Sequence, residues 1–437
     1  MAIEINNFAQ ASELLQKGIA QVKQSMASLG VTEADLLKAL SSRPDTKDAV
    51  PSILAEGGLE GFFSKSSEAL ASVEAEQKEL LKFDLSTLKP PEMPVMPAPV
   101  PGQVAQPGTV YTREWVIEHH AAKGSFAELD LNGLDLSLLD LSDADFSRAN
   151  LANVSFKATR LDRCIFDGGL LTAAVFDEAS LIEASMQTAS AAKASFQLAA
   201  LQTATLSGTD FTSAYFDKAS LLDVTAKACI FSGASLMATN LNKAVMDQSQ
   251  FDGAQLADAT FTQARLTGAN FNSANLERVD GTSSLCKAVD FSGATAAGAK
   301  FGDADLSGSQ ANSKTSFAGA FLARADMSQV KWDKTVLDGA TMDRALLENA
   351  DLTGCSLVKV QMINAIAKQA CFDKVNLEQA DLRGVNFFEG SMRKAKLNGA
   401  LLEVGNYYGV DFIDAAIEGA SFRESILDKT ILASRKL

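Results

Sequence analysis

The chain has 437 residues, 39 basic and 54 acidic, for a net charge of −15, and 47% of them are hydrophobic. A nucleic-acid binder would carry a basic stripe, and none occurs, so no nucleic-acid partner is expected. No apolar run reaches membrane-spanning length and no charged-then-apolar leader opens the chain, which gives the expectation of a cytoplasmic protein without membrane contact.

Residues 1–88 read as a small α-helical domain. A first helix over about 6–29 carries Phe8, Leu14, Leu15, Ile19, Val22 and Met26 at helical spacing and stops at Gly30. A second begins at Thr32, where "TEAD" forms a capping box, and a third covers about 64–83. All nine prolines precede residue 108, seven of them within 90–107, so 89–110 is read as an extended linker. Residues 111–124 then read as a capping helix. Thr112 suits its cap, Glu114 its first turn and Gly124 its stop, with Trp115, Val116 and Ala122 covering the first coil. His119 and His120 are adjacent, not four apart, and are read as polar surface residues.

From 125 to 437 the apolar period is five. Leu131, Leu136, Leu141, Phe146 and Leu151 begin it. An α-helix would drift by about 140° per such step, and a flat strand would alternate faces. The chain must therefore turn a corner every five residues so that each large residue meets one interior. Like residues recur at an interval of 20: Phe211, Phe231, Phe251, Phe271 and Phe291 in one column, Phe156, Phe176, Phe196 and Phe216 in another. That interval gives four five-residue sides per turn. At about 4.8 Å per layer, about 15 turns make roughly 70–75 Å of stack. The residue two before each centre is usually small, as at Ala144, Ala174 and Ala340. The register slips by one residue near 311–317, in "GSQANSKTSF", where a bulge is expected. Small centres at Gly281, Ala296 and Ala311 make 281–316 the expected soft stretch.

The segments "ADFSRANL", "ANFNSANL", "ADLTGCSL" and "ADLRGVNF" resemble the pentapeptide-repeat family. The resemblance implies a mainly β fold, a right-handed quadrilateral β-helix, here behind the N-terminal helical domain. The leader "TREWVIEHHAAKGSFAELDLNGLDLS" is similar to the segment that introduces such repeats in accessory proteins of type VI secretion systems. That likeness implies an adaptor or chaperone that loads an effector onto the secretion spike. A sibling resemblance, to quinolone-resistance pentapeptide proteins, implies a DNA mimic that binds gyrase. A translocated bacterial effector is the third reading.

No catalytic, metal or cofactor site is read. There is no GxSxG, P-loop or CxxC spacing. Cys164, Cys229 and Cys355 fall at the small inward position and Cys286 at a centre. A non-enzymatic interaction scaffold with a protein partner is therefore expected. The candidate partner-binding residues are Phe388 and Tyr408, 20 apart and each just past a centre, and Ile413 on the adjoining side. The repeat spacing runs to Leu437 without a lid helix, which gives the expectation of homo-oligomers through the C-terminal end.

Overall fold

A computed structural model describes residues 111–433. The readings of helices over 1–88 and of a linker over 89–110 lie outside those residues.

Helix α1 (Arg113–Ala121) opens the described part. Thr112 is its N-cap in extended conformation, and the Thr112 hydroxyl accepts from the Trp115 amide. Val116 is fully buried and Trp115 half-buried. Two readings of the lid are corrected by the structure. Ala122 is exposed and serves as the C-cap. His119 and His120 are half-buried, and the surface reading holds only in part: the His119 ring stacks on Trp115 at 4.3 Å and meets Phe126 edge-on at 5.1 Å, while His120 lies 6.4 Å from Phe126. Gly124 permits this, because a Cβ there would clash with the His119 ring. Arg113 adds a second anchor by donating to the carbonyls of Asp135 and Ser137 (2.9 and 2.6 Å). In later coils such carbonyls accept amides from the coil before; here the guanidinium supplies the donors.

The rest is a β-helix. Parallel bridges join each side to the one 20 residues on, beginning with Asp130 and Asn150, with a new pair every five residues. The amide of each centre donates forward, as Phe251 to the Asn270 carbonyl (2.7 Å), and the residue before it donates back, as Gln250 to Cys229 (2.9 Å). Corners close locally. The Ala254 amide donates to the Phe251 carbonyl (3.0 Å), and the corner residue takes the left-handed conformation, φ +65° at Gly253 and +60° at Lys218. A left-handed residue at every fifth position is what turns the chain and keeps each centre facing one core.

The core is a continuous stack. Phe211, Phe231, Phe251, Phe271 and Phe291 are buried, with successive ring centroids 5.1, 5.0, 4.6 and 5.9 Å apart and nearly parallel. Phe156, Phe176, Phe196 and Phe216 stack likewise on the next side at 5.0, 4.8 and 4.7 Å. The two columns meet edge-on, as between Phe211 and Phe216 at 5.1 Å. Where a centre is small, its neighbours fill the space. At Gly281 the Phe261 and Phe301 rings close over the missing side chain, with centroids 5.8 Å apart. Beside Ala311, Trp332 stacks on Phe317 at 4.6 Å, and its indole N–H donates to the Ser309 hydroxyl (3.1 Å).

Bridging shifts from 20 to 21 residues for pairs that span 311–316, as Thr295 with Ser316, and returns to 20 at Ser316 with Val336. The extra residue sits at Asn312. Strand β1 (Gln310–Ala311), just before it, pairs in parallel with β2 (Lys331–Trp332) of the next coil. Side chains replace the interrupted ladder: the Gly293 amide donates to both the Asn312 carboxamide (3.1 Å) and the Thr315 hydroxyl (2.9 Å), and that hydroxyl donates to the Phe291 carbonyl (2.9 Å).

Candidate interaction surface

Three residues of every side point outward, and their columns run along the stack at the coil spacing. Many carry Asp or Asn, and the structure shows why. An acid or amide just before a centre accepts the amide two residues on, as Asp140 from Ser142 (3.1 Å) and Asp326 from Ser328 (2.9 Å). An acid just after a centre does the same for the next coil: Asp177 accepts from the Ser195 hydroxyl and the Gln197 amide (3.1 Å), and Asp373 from Ser391 and Arg393. Both arrangements satisfy amides that the ladder leaves open. Much of the acidic surface is thus a structural device of the corners.

Phe388 and Tyr408 lie on one side of adjacent coils. Their rings are parallel, 5.4 Å apart and half-buried, less open than the spacing alone suggests. The Lys429 ammonium lies 5.0 Å from the Tyr408 ring centre, so ring, ring and cation form one column. Beneath it runs a row of amides: the Asn406 carboxamide donates to Asn386 (3.3 Å), and each accepts an aromatic residue's own amide. A hollow of about 360 Å³ beside Phe388 is lined by Glu348, Lys368, Gln369, Asn386 and Asn406. Ile413 is exposed on the adjoining side, its amide donating to Asp411 (2.9 Å); it does not join the ring column.

Leu346, Ile366 and Ile426 stand exposed on the same side as the two rings, and Phe321 on the side before it. Sequence reasoning passed over them by following only the position after each centre. Leu346 and Ile366 occupy the position before it, 20 residues apart, and form a bridge pair. Lys429 falls 21 residues past Tyr408, one position off the register that Phe388 and Tyr408 share, and joins their column by the reach of its side chain.

The buried thiols of Cys164, Cys229 and Cys355 are pushed up to about 12 by burial and donate to the Leu141, Leu206 and Trp332 carbonyls. Among the described residues no group of three or more His, Cys, Asp or Glu is arranged to hold a metal, and no helix is long and apolar enough to cross a membrane.

No curated protein matches the chain. Among solved structures, the plasmid-mediated fluoroquinolone resistance protein QnrB1 is 18% identical, over 43% of this chain and 81% of that one, with a TM-score of 0.23. HetL, a pentapeptide-repeat protein involved in heterocyst differentiation regulation in the cyanobacterium Nostoc sp. strain PCC 7120, is 20% identical over 75% and 100%, with a TM-score of 0.16. A pentapeptide-repeat protein of the Arabidopsis thaliana thylakoid lumen is 25% identical over 26% and 63%, with a TM-score of 0.13. Eight copies of the family model for pentapeptide repeats match residues 125–168, 194–233, 229–268, 249–280, 320–357, 333–366, 340–379 and 372–403. The five-residue corners, the inward centres and these eight matches together make the chain a member of the pentapeptide-repeat family.

Proposed function

We propose that the chain is a non-enzymatic scaffold that binds a protein partner through the column of Phe388, Tyr408 and Lys429. The observation that carries this reading is the column itself: two half-buried parallel rings at 5.4 Å with a cation over one end. Aromatic side chains are enriched where proteins meet, and a rigid ladder presents the two rings with little entropy to lose. The finer reading is an adaptor that carries an effector to a type VI secretion spike. It is supported by the likeness of the leader over Thr112–Ser137, whose helix is fastened to the first coil through Arg113. The test is a pull-down of a type VI effector from the same cell, with the full chain and with Phe388→Ser, Tyr408→Ser. Loss of capture by a folded double variant is expected. Unchanged capture would mean that the column is ordinary surface.

A second reading, a DNA mimic acting on gyrase, is favoured by one observation: residues 125–311 hold 22 acidic and 12 basic side chains. A supercoiling assay separates the two. Inhibition that survives the double variant but falls on neutralising Asp217 and Asp223 supports mimicry.

A further inference from the structure

We infer that the hollow on the free face of Phe388 is a binding site for a pyranose, the six-membered ring of a neutral sugar. This goes beyond partner capture by the ring column and assigns a different class of ligand to the opposite face of one of its rings.

Phe388 has one face covered and one free. Tyr408, one coil on, lies parallel to it at 5.4 Å and covers the first face, while Lys429 covers the far side of Tyr408. The other face of Phe388 is therefore turned toward the coil before, and the hollow of about 360 Å³ lies there, lined by Phe388 and not by Tyr408. Its size is at the small end for ligand sites, which run from about 300 to 1,000 Å³. The rim is polar, and its groups are unpaired. The Asn386 oxygen accepts the Phe388 amide (3.4 Å) and the Asn406 carboxamide (3.3 Å), which fixes the two ends of that side chain. Its nitrogen is left without an acceptor among the described residues, because the residue before it in that column is Ile366. The Lys368 ammonium, the Glu348 carboxylate and the Gln369 carboxamide likewise make no hydrogen bond or ion pair among the described residues.

These groups define the ligand. It needs a flat apolar face to lie against the ring, and around that face an edge that both donates and accepts. A pyranose has both. Its axial C–H bonds carry a slight positive charge that suits the negative face of an aromatic ring, and each of its hydroxyls donates and accepts. Asn386 and Lys368 supply donors, Glu348 supplies an acceptor, and Gln369 supplies both. One acid and one base leave the rim neutral, so a sugar acid or an amino sugar would meet a like charge that a neutral sugar does not. A partner's aromatic or aliphatic side chain fits less well. Pockets that hold such anchors are well packed and lose their water, whereas this hollow is open and sets Glu348, Lys368, Gln369, Asn386 and Asn406 around a single ring.

The experiment is saturation-transfer NMR on the full chain, with methyl glucoside, methyl galactoside and methyl N-acetylglucosaminide as probes at about 0.2–20 mM, a range that brackets the millimolar affinity of so small a ligand. At least one probe is expected to take up saturation, most strongly at the protons of one ring face. Phe388→Ser weakens its binding by about tenfold or more. Lys368→Ala with Gln369→Ala does the same while leaving Phe388, Tyr408 and Lys429 in place, so capture of a protein partner by that column persists and the two readings fail separately. Circular dichroism monitors the fold of each variant. A linear tetrasaccharide of the preferred sugar that binds about tenfold tighter assigns a polysaccharide, and equal binding assigns a single terminal sugar. Absence of transfer to every probe overturns the proposal. So does transfer that neither variant changes, tighter binding of glucuronate than of the glucoside, or uptake by N-acetyltyrosinamide and by none of the sugars.

Discussion

The coils before Asn312 and those after it share one backbone rule and differ in what they carry. Before it, 14 phenylalanines fill the core and 22 acidic residues face 12 basic ones; after it there are seven phenylalanines, and 16 charges of each sign. The first region stacks ring on ring in two columns that meet edge to edge. The second mixes Trp332, Met342, Met362, Phe387 and the buried Tyr407, whose hydroxyl donates to the Leu382 carbonyl (3.3 Å), and moves aromatic rings to the outside at Phe321, Phe388 and Tyr408. The lesson is a division of labour within one repeat. Stacking makes the first region a stiff and negatively charged column, whereas the neutral second region spends aromatic side chains on surfaces that can meet another protein.

The largest test of that division is Phe251→Ala. Phe251 is sandwiched between Phe231 and Phe271 at 5.0 and 4.6 Å, so truncation removes two stacking contacts and leaves a cavity that rigid coils cannot collapse. A loss of about 3–5 kcal/mol is expected in urea unfolding followed by circular dichroism. Asp252→Ala, one residue outward, should stay within about 0.5 kcal/mol. Equal losses would dissolve the distinction between ladder and surface.

Next in size is Gly281→Ala. The Phe261 and Phe301 rings occupy the space a side chain would need, and the added carbon would stand within 2.8 Å of Phe301. Overpacking of this kind costs about 1–3 kcal/mol. The sequence suggests that small centres soften 281–316; the filled space at Gly281 argues that a small centre here is matched to large neighbours. Hydrogen exchange on the wild type checks it: amides of 281–301 that exchange as slowly as those of 241–271 would support matched packing.

Much of this architecture is legible in the residues, and the illegible parts share a cause. The period of five and the interval of 20 follow from single-residue size alone, so the coil and the Phe columns can be read directly. Thr112 as a cap is legible for the same reason, being a local choice. His119 is not, because its packing depends on the space that Gly124 leaves five residues on and on rings that arrive from Trp115 and Phe126. The roles of Asp140 and Asp177 are hidden too: one acid serves its own corner and the other the next coil, and only the amide partner tells them apart. At the candidate surface, the spacing of Phe388 and Tyr408 shows that they share a side, while Lys429 joins them by reach and not by register.

A smaller effect is expected at Val404, in the second region. It is a β-branched residue at φ +61° and 64% exposed, so it bears the left-handed strain without compensating burial. Val404→Asn should stabilise the chain by about 1 kcal/mol, measured by the urea midpoint at unchanged slope. No gain would mean that Val404 packs against something that its exposure does not reveal.

The smallest effect concerns acid. Before Asn312, the Ser142 hydroxyl and amide hold Asp140 below the usual carboxylate range, and the Arg163, Arg278 and Arg324 guanidinium groups do the same for Asp143, Asp258 and Asp303. After it, Asp381, bonded to Arg383, is the one such carboxylate among the described residues. A carboxylate whose value is lower in the folded chain than in the unfolded one contributes stability above its ordinary value of 3.8, and the contribution is lost as pH falls through the depressed folded value. These groups are exposed and solvent screens them, so each contributes little. Their sum still falls on one side of Asn312. Between about pH 5 and pH 3, hydrogen exchange corrected for its intrinsic rate should therefore rise more in 125–311 than in 317–433. Arg163→Gln should narrow the gap by releasing Asp143. A uniform rise, or a larger one after Asn312, would show that the carboxylates act only as neutral acceptors at the corners, and that the two regions differ in packing but not in electrostatics.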